Sequence, residues 1–265
     1  MYIDTHCHLD ASEFNDDRSA VIASAQQAQV GQIVIPAIGR SNFSTVRQLA
    51  HSFDGGYYAL GIHPLFVGQA ADEDLDILAQ EVERALDDPR FVAIGEIGLD
   101  FFVKDIATGP PRKRQEFFYQ EQLKLARQHA LPVLLHVRRS QDIILKYLRR
   151  FPEVGGIAHA FNGSDQQADQ FVDLGFALGI GGAMTFTRAR QIRRLACRIP
   201  LSSIVLETDS PDIAPAWLQE DHPRNTPGQI PAIAQALAQL RDVPTGEIER
   251  GTNATAHRVL SRLAA

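Results

Sequence analysis

The feature that most constrains this chain is a recurrence. Eight short stretches rich in Val, Ile, Leu or Phe are separated by segments with helical spacing. They are Tyr2–Thr5, Gln32–Pro36, Tyr57–Gly61, Phe91–Gly95, Pro132–His136, Gly156–His159, Phe176–Ile180 and Ser203–Glu207. Short continuous apolar runs suit strands buried on both faces, as in parallel sheets. Between them, Asp72 to Leu86 sets Leu75, Leu78, Val82 and Leu86 at spacings of three and four. Gln115 to Gln128 does the same with Phe118, Leu123, Leu125 and Ala126, as one face of a helix requires. Ser12 or Asn15 is placed to cap a helix running to about Ala28. Helical segments follow at Ser140–Arg150, Ser164–Leu174 and Arg188–Arg198. After a Pro-rich stretch from Ser210 to Gly228, helices at Gln229–Leu240 and about Gly246–Leu263 close the chain. Strand then helix, eight times in 265 residues, predicts an α/β fold, a single (β/α)8 TIM barrel over 1–265. An open doubly wound sheet is the rival. It usually carries a glycine-rich phosphate loop after an early strand, and this sequence has neither a G-x-G-x-x-G nor a Walker pattern.

Composition removes several function classes. The formal charge of −6 argues against coating nucleic acid through bulk charge, while leaving room for an enzyme that holds one phosphate locally. No apolar run approaches the ~20 residues of a membrane span. Met1 to Asp10 is polar and lacks the basic start and apolar run of a signal peptide. The two cysteines, Cys7 and Cys197, suit a reducing compartment without a structural bridge. The expectation is a cytoplasmic, monomeric protein with no membrane contact.

Chemistry gathers at the strand ends. Cys7 separates His6 and His8, and alternation puts both imidazoles on one side and the thiol on the other. Alone, H-x-H also fits two ordinary polar residues. Glu96 follows the fourth strand between Gly95 and Ile97-Gly98, where a carboxylate is costly to bury unpaired. His136 and His159 end the fifth and sixth strands, and Asp209 follows the eighth. Each alone fits a capping or core residue. Together they meet at the C-terminal face of a parallel barrel, where barrel enzymes keep their sites. Six ligands exceed one tetrahedral zinc and suit two divalent ions. Glu207, two residues before Asp209, is a candidate to stabilise the barrel interior or orient a ligand histidine.

The motifs IDTHCHLD at 3–10, GIHP at 61–64, AIGEIGLDF at 93–101, LLHVR at 134–138, HAFNGS at 159–164 and LETDSPDIAP at 206–215 resemble those of the TatD family of metal-dependent hydrolases. That family is often described as deoxyribonucleases within the amidohydrolase-like barrel superfamily. HPRNTP at 222–227 is similar to the family's Arg-Asn-x-Pro element. The resemblance implies that His6 and His8 bind one metal with Asp209, that Glu96 bridges, and that His136 and His159 bind the second. It implies hydrolysis of a phosphoester, in DNA or a smaller substrate, with Asp209 accepting the proton of the attacking water. Asp212 stands where many relatives have tyrosine, and the Ser210–Gly228 loop has its own sequence. Mg²⁺, Mn²⁺, Zn²⁺ and Ni²⁺ all remain candidates.

Three further residues are expected to touch substrate. His63 and Arg138 lie on the right faces of their strand ends, and Arg224 reaches in from the final loop. An arginine fork matches phosphate geometry. The run Arg188, Arg190, Arg193, Arg194 and Arg198 is expected to be a solvated helix face. Phe101 and Phe102 are expected to pack under their own loop rather than stack on a base. The rival functions are a barrel hydrolase of C–N or carboxylic ester bonds, and a metal-holding scaffold without turnover.

Overall fold

The computed structural model describes residues 1–218 and 223–263. The HPRNTP element begins at His222, and the Ser210–Gly228 loop passes through 219–222. Those positions lie outside the described residues.

Eight parallel strands form one sheet in sequence order. They are β1 (Tyr2–Asp4), β2 (Val30–Pro36), β3 (Gly56–Leu60), β4 (Phe91–Asp100), β5 (Val133–Arg138), β6 (Gly156–Ala158), β7 (Phe176–Ile180) and β8 (Ile204–Leu206). Bonds from the Thr5 N–H to the Leu206 carbonyl (3.1 Å) and from the Asp209 N–H to the His6 carbonyl (2.8 Å) join the first strand to the last. This is the TIM barrel that the repeat predicts. The helices are α1 (Arg18–Gln27), α2 (Phe43–His51), α3 (Glu73–Ala85), α4 (Gly109–Gln128), α5 (Gln141–Leu148), α6 (Asp165–Asp173), α7 (Arg190–Arg198), α8 (Ile230–Arg241) and α9 (Thr245–Val259).

Several boundaries differ from expectation, each for a local reason. Ser12–Phe14 is a short 3-10 turn that buries Phe14, and α1 starts only at Arg18. Arg18 donates to the carbonyls of Leu9, Asp10 and Ala11 and to Asn15 Oδ1, so this stretch is tied as a loop. α2 was not expected. It buries Phe43, Val46 and Ala50, too short an apolar stripe to stand out. β4 runs five residues past Gly95, because Leu99 and Asp100 still pair with Val137 and Arg138 after a register shift between Ile94 and Ile97. α9 ends at Val259, short of Leu263.

Two apolar layers hold the barrel. One lies between the sheet and its helices. The other fills the interior with Ile3, Val34, Leu134, Ile157, Ala177 and Val205, joined by Ala256, Val259, Leu260 and Leu263 from the chain end. Arg262 donates to the carbonyls of Leu86 (2.7 Å), Asp88 (3.0 Å) and Phe91 (2.7 Å), and Asn253 to the Met1 carbonyl (2.7 Å). Those carbonyls precede or begin β1 and β4, so the chain end closes the N-terminal mouth. The opposite mouth is left for chemistry. Among the described residues no helix is long and apolar enough to cross a membrane.

Candidate metal centre

Strand alternation builds the site. Leu134, Ile157 and Val205 belong to the interior layer; two residues further on come His136, His159 and Glu207, and Asp209 two beyond that. The ionisable groups therefore stand on top of the apolar plug. Their desolvation is the main electrostatic fact of the site.

Glu96 is the hub, with 1% of its surface exposed. Its Oε2 lies 3.2 Å from His6 Nε2 and 3.3 Å from His8 Nε2. Its Oε1 lies 2.9 Å from His136 Nδ1, 3.1 Å from His159 Nε2 and 3.2 Å from His63 Nε2. Five imidazoles thus face one carboxylate, which has about four lone-pair positions. Asp209 Oδ1 sits 3.6 Å from both His6 Nε2 and His8 Nε2. Among the described residues three overlapping sets of ligand atoms result: His6, His8 and Asp209; His6, Glu96 and His159; His63, Glu96 and His136. Within each set the atoms lie within 4.8 Å of one another. Ring nitrogens also face each other directly, His6 with His8 at 3.3 Å and His63 with His136 at 3.0 Å. Facing lone pairs need a proton or a cation between them. Buried imidazole and carboxylate donors that converge this way fit divalent ions.

The charge balance agrees. Burial alone would raise the Glu96 carboxyl, but the surrounding histidines, His63 first, hold it well below the ordinary range. Burial lowers His6 well below an ordinary imidazole and brings His63 down to about 4. Burial opposes charge on His8 and His159 as well, yet the nearby Glu96 and Asp209 carboxylates lift them to about 9 and about 10. The two carboxylates stabilise positive charge at the cluster, carried by protons on the imidazoles here and by metal cations that would take their place.

Close packing explains the glycines of the GEIG motif. Gly98 has φ of +143°, and a Cβ there would lie 2.1 Å from the His136 carbonyl oxygen. Only glycine lets β4 approach the ligand strand so closely.

Behind the ligands stands a layer of carboxylates. Asp100 is fully buried, with Oδ2 3.1 Å from His136 Nε2. Its Oδ1 accepts the N–H groups of Phe102 (2.8 Å) and Val103 (3.0 Å). Asp4 accepts the His6 N–H (3.2 Å), the Thr208 N–H (3.0 Å) and the Thr208 hydroxyl (2.6 Å), tying the two ligand-bearing ends of β1 and β8 together. Glu207 accepts the Ala160 N–H (2.5 Å) and stands 3.8 Å from His159 Nδ1. The sequence reading singled out Glu207 but missed Asp4 and Asp100. The signal for Asp4 was present, an acidic residue closing a short strand that is otherwise apolar, whereas Asp100 belongs to a stretch of β4 beyond its expected end.

Cys7 points away from the ligands into the core, with Sγ 3.6 Å from Ser210 Oγ. His63 lies inside the donor cluster itself, buried, with Nε2 3.2 Å from Glu96 Oε1 and 3.0 Å from His136 Nδ1. Arg138 is at the mouth, 3.8 Å from Asp100 Oδ2. Arg224 is not brought to the cluster. Its guanidinium grips Asp17 at 2.6 and 2.8 Å and donates to the Glu13 carbonyl. In the α7 run, Arg194 and Arg198 pair with Asp165 and Asp169 of α6, as a solvated face does.

A family model described as TatD related DNase matches residues 3–261. The chain belongs to the TatD family. It is 41% identical over 249 residues to the metal-dependent hydrolase YjjV of Escherichia coli, covering 93% of each chain. The crystal structure of YjjV, a TatD homolog, superposes with a TM-score of 0.91 at 38% identity, over 98% of both chains. The human protein named deoxyribonuclease TATDN3 is 31% identical over 268 residues, 98% of this chain and 95% of its own. The TatD chain described here is thus a metal-dependent hydrolase on a TIM barrel.

Proposed function

We propose that this TatD protein is a deoxyribonuclease that cleaves phosphodiester bonds with two divalent ions. One observation carries the reading: Glu96 offers its two oxygens to different histidine groups, Oε2 to His6 and His8 and Oε1 to His136 and His159. A carboxylate shared by two donor sets suits a pair of ions acting on one phosphoryl group. His6, His8 and Asp209 would hold one ion, His136 and His159 the other, and Glu96 both. Such ions supply acidified water and neutralise charge on phosphoryl oxygens.

The protein's own groups do the rest. Asp209 is the proton acceptor. Its side chain is 14% exposed at the mouth, and burial raises its carboxyl against the opposing pull of His159 and His8. His63, neutral at pH 7, orients a phosphoryl oxygen by hydrogen bonding. Arg138, 49% exposed, presents its fork to the phosphate as substrate enters. The name borne by the human relative supports DNA as the substrate class.

Glu96→Ala and Asp209→Ala test the reading through bound metal and hydrolysis of bis(p-nitrophenyl) phosphate. Both variants are expected to lose metal and to fall roughly 10²-fold or more in rate. Unchanged metal content and rate in both would overturn the assignment. Turnover of a lactone, amide or cyclic ureide without phosphodiester cleavage would reassign the enzyme to C–N or carboxylic ester chemistry.

A further inference from the structure

Two aromatic residues follow Asp100, and they have different fates. Phe101 packs against the core, with the Arg112 guanidinium 4.1 Å from its ring centroid. Phe102 does not pack under its loop: 44% of it is exposed. The Arg138 guanidinium lies 3.9 Å from its ring centroid and that of Arg139 lies 4.7 Å away. Both arginines are exposed.

This patch is built into the metal centre. Fully buried Asp100 holds the Phe102 and Val103 N–H groups with one oxygen. Its other oxygen lies 3.1 Å from His136 Nε2 and 3.8 Å from Arg138 Nη1. One carboxylate thereby ties the loop that carries Phe102 to a ligand histidine, with the Arg138 guanidinium beside them. The Ser140 hydroxyl donates to the Leu99 carbonyl (2.6 Å), locking the turn after the two arginines to β4. Two more exposed apolar side chains, Leu65 and Trp217, stand on the loops after β3 and β8, at the same end of the barrel.

Resting on the nuclease reading above, we propose that Phe102, Arg138 and Arg139 form a nucleotide subsite. It stacks one unpaired base and grips the adjoining phosphate, feeding single-stranded nucleic acid to the metal centre. Aromatic rings and guanidinium planes are the surfaces on which splayed bases stack, whatever their sequence. The arginine forks supply the matching phosphate contacts. In a chain of net charge −6, a pair of exposed arginines beside the cluster gives an anionic strand a local point of entry. A base inside a duplex has both faces covered by its neighbours, so the subsite selects single strands and frayed ends.

The test compares a short single-stranded oligodeoxynucleotide with an abasic strand of equal length. The wild-type enzyme is expected to prefer the base-bearing strand by about tenfold or more in kcat/KM, expressed in KM. Phe102→Ala should lose most of that preference, and Phe102→Tyr should keep it. Phe117→Ala, an exposed aromatic on α4, should behave as wild type. A second readout needs no turnover. Phe102→Trp in a Trp217→Phe background should lose fluorescence on adding the base-bearing strand and not the abasic one. Equal KM for both strands in the wild type, or an undiminished preference in Phe102→Ala, overturns the subsite while the nuclease reading stands. Failure of the metal-loaded wild type to cut either strand overturns that reading, and the subsite with it.

Discussion

At the scale of single residues, Asp100 shows how a carboxylate that touches no substrate can set the chemistry. With Oδ2 3.1 Å from His136 Nε2, it favours the tautomer with the proton on Nε2 and leaves Nδ1, the atom facing Glu96, as the free donor. Asp100→Asn keeps an acceptor for the loop N–H groups but can present an amide N–H to His136. The proton then moves to Nδ1, where it blocks ligation. Calorimetric titration should show metal affinity roughly 10–100-fold weaker, with thermal stability of the metal-free protein nearly unchanged. Affinity equal to wild type would remove Asp100 from this role. The six proposed ligands were legible in the sequence because period-two alternation carries each apolar strand directly to its ionisable tip. Asp100 was not, because β4 was expected to end at Gly95. Its continuation depends on pairing with Val137 and Arg138 after a register shift, and pairing partners are not written in the local sequence.

At the scale of elements, α4 illustrates what periodicity leaves out. Phe118, Leu123, Leu125 and Ala126 mark its apolar face, and all are buried. The same face also buries Gln115 and Gln122. Gln122 accepts the Ile62 N–H (2.7 Å) and donates to the Ile62 carbonyl (3.1 Å), doing for the residue before His63 what a neighbouring strand would do. Gln115 pairs in the same way with the backbone of Asp100. A glutamine on a helix reads as solvent-facing; only the strand ends it meets make it structural. Gln122→Leu should destabilise the protein by about 2–4 kcal/mol, because two buried backbone groups lose their partner. Urea unfolding measures this, and a change below about 0.5 kcal/mol would mean that the amide is dispensable.

At the scale of the whole molecule, the barrel divides its labour between two ends. The chain end, with Leu260, Leu263 and Arg262, seals one mouth. The other mouth carries a cluster whose acidic groups account for part of the formal charge of −6, and bound cations would offset that charge before an anionic substrate arrives. The repeat predicted this architecture because each strand–helix unit must bury its apolar side on the next. The direction in which Arg224 turns was not legible, since its partner Asp17 belongs to a loop at the other end of the chain. The central claim is that cations held by this cluster hydrolyse phosphodiester bonds. The direct measurement is cleavage of single-stranded DNA by protein stripped with a chelator and then titrated with Mg²⁺, Mn²⁺, Zn²⁺ or Ni²⁺. The account predicts no cleavage after stripping and recovery that saturates near two ions per chain with at least one of these metals. Cleavage that survives stripping, or its absence with every metal, would contradict it.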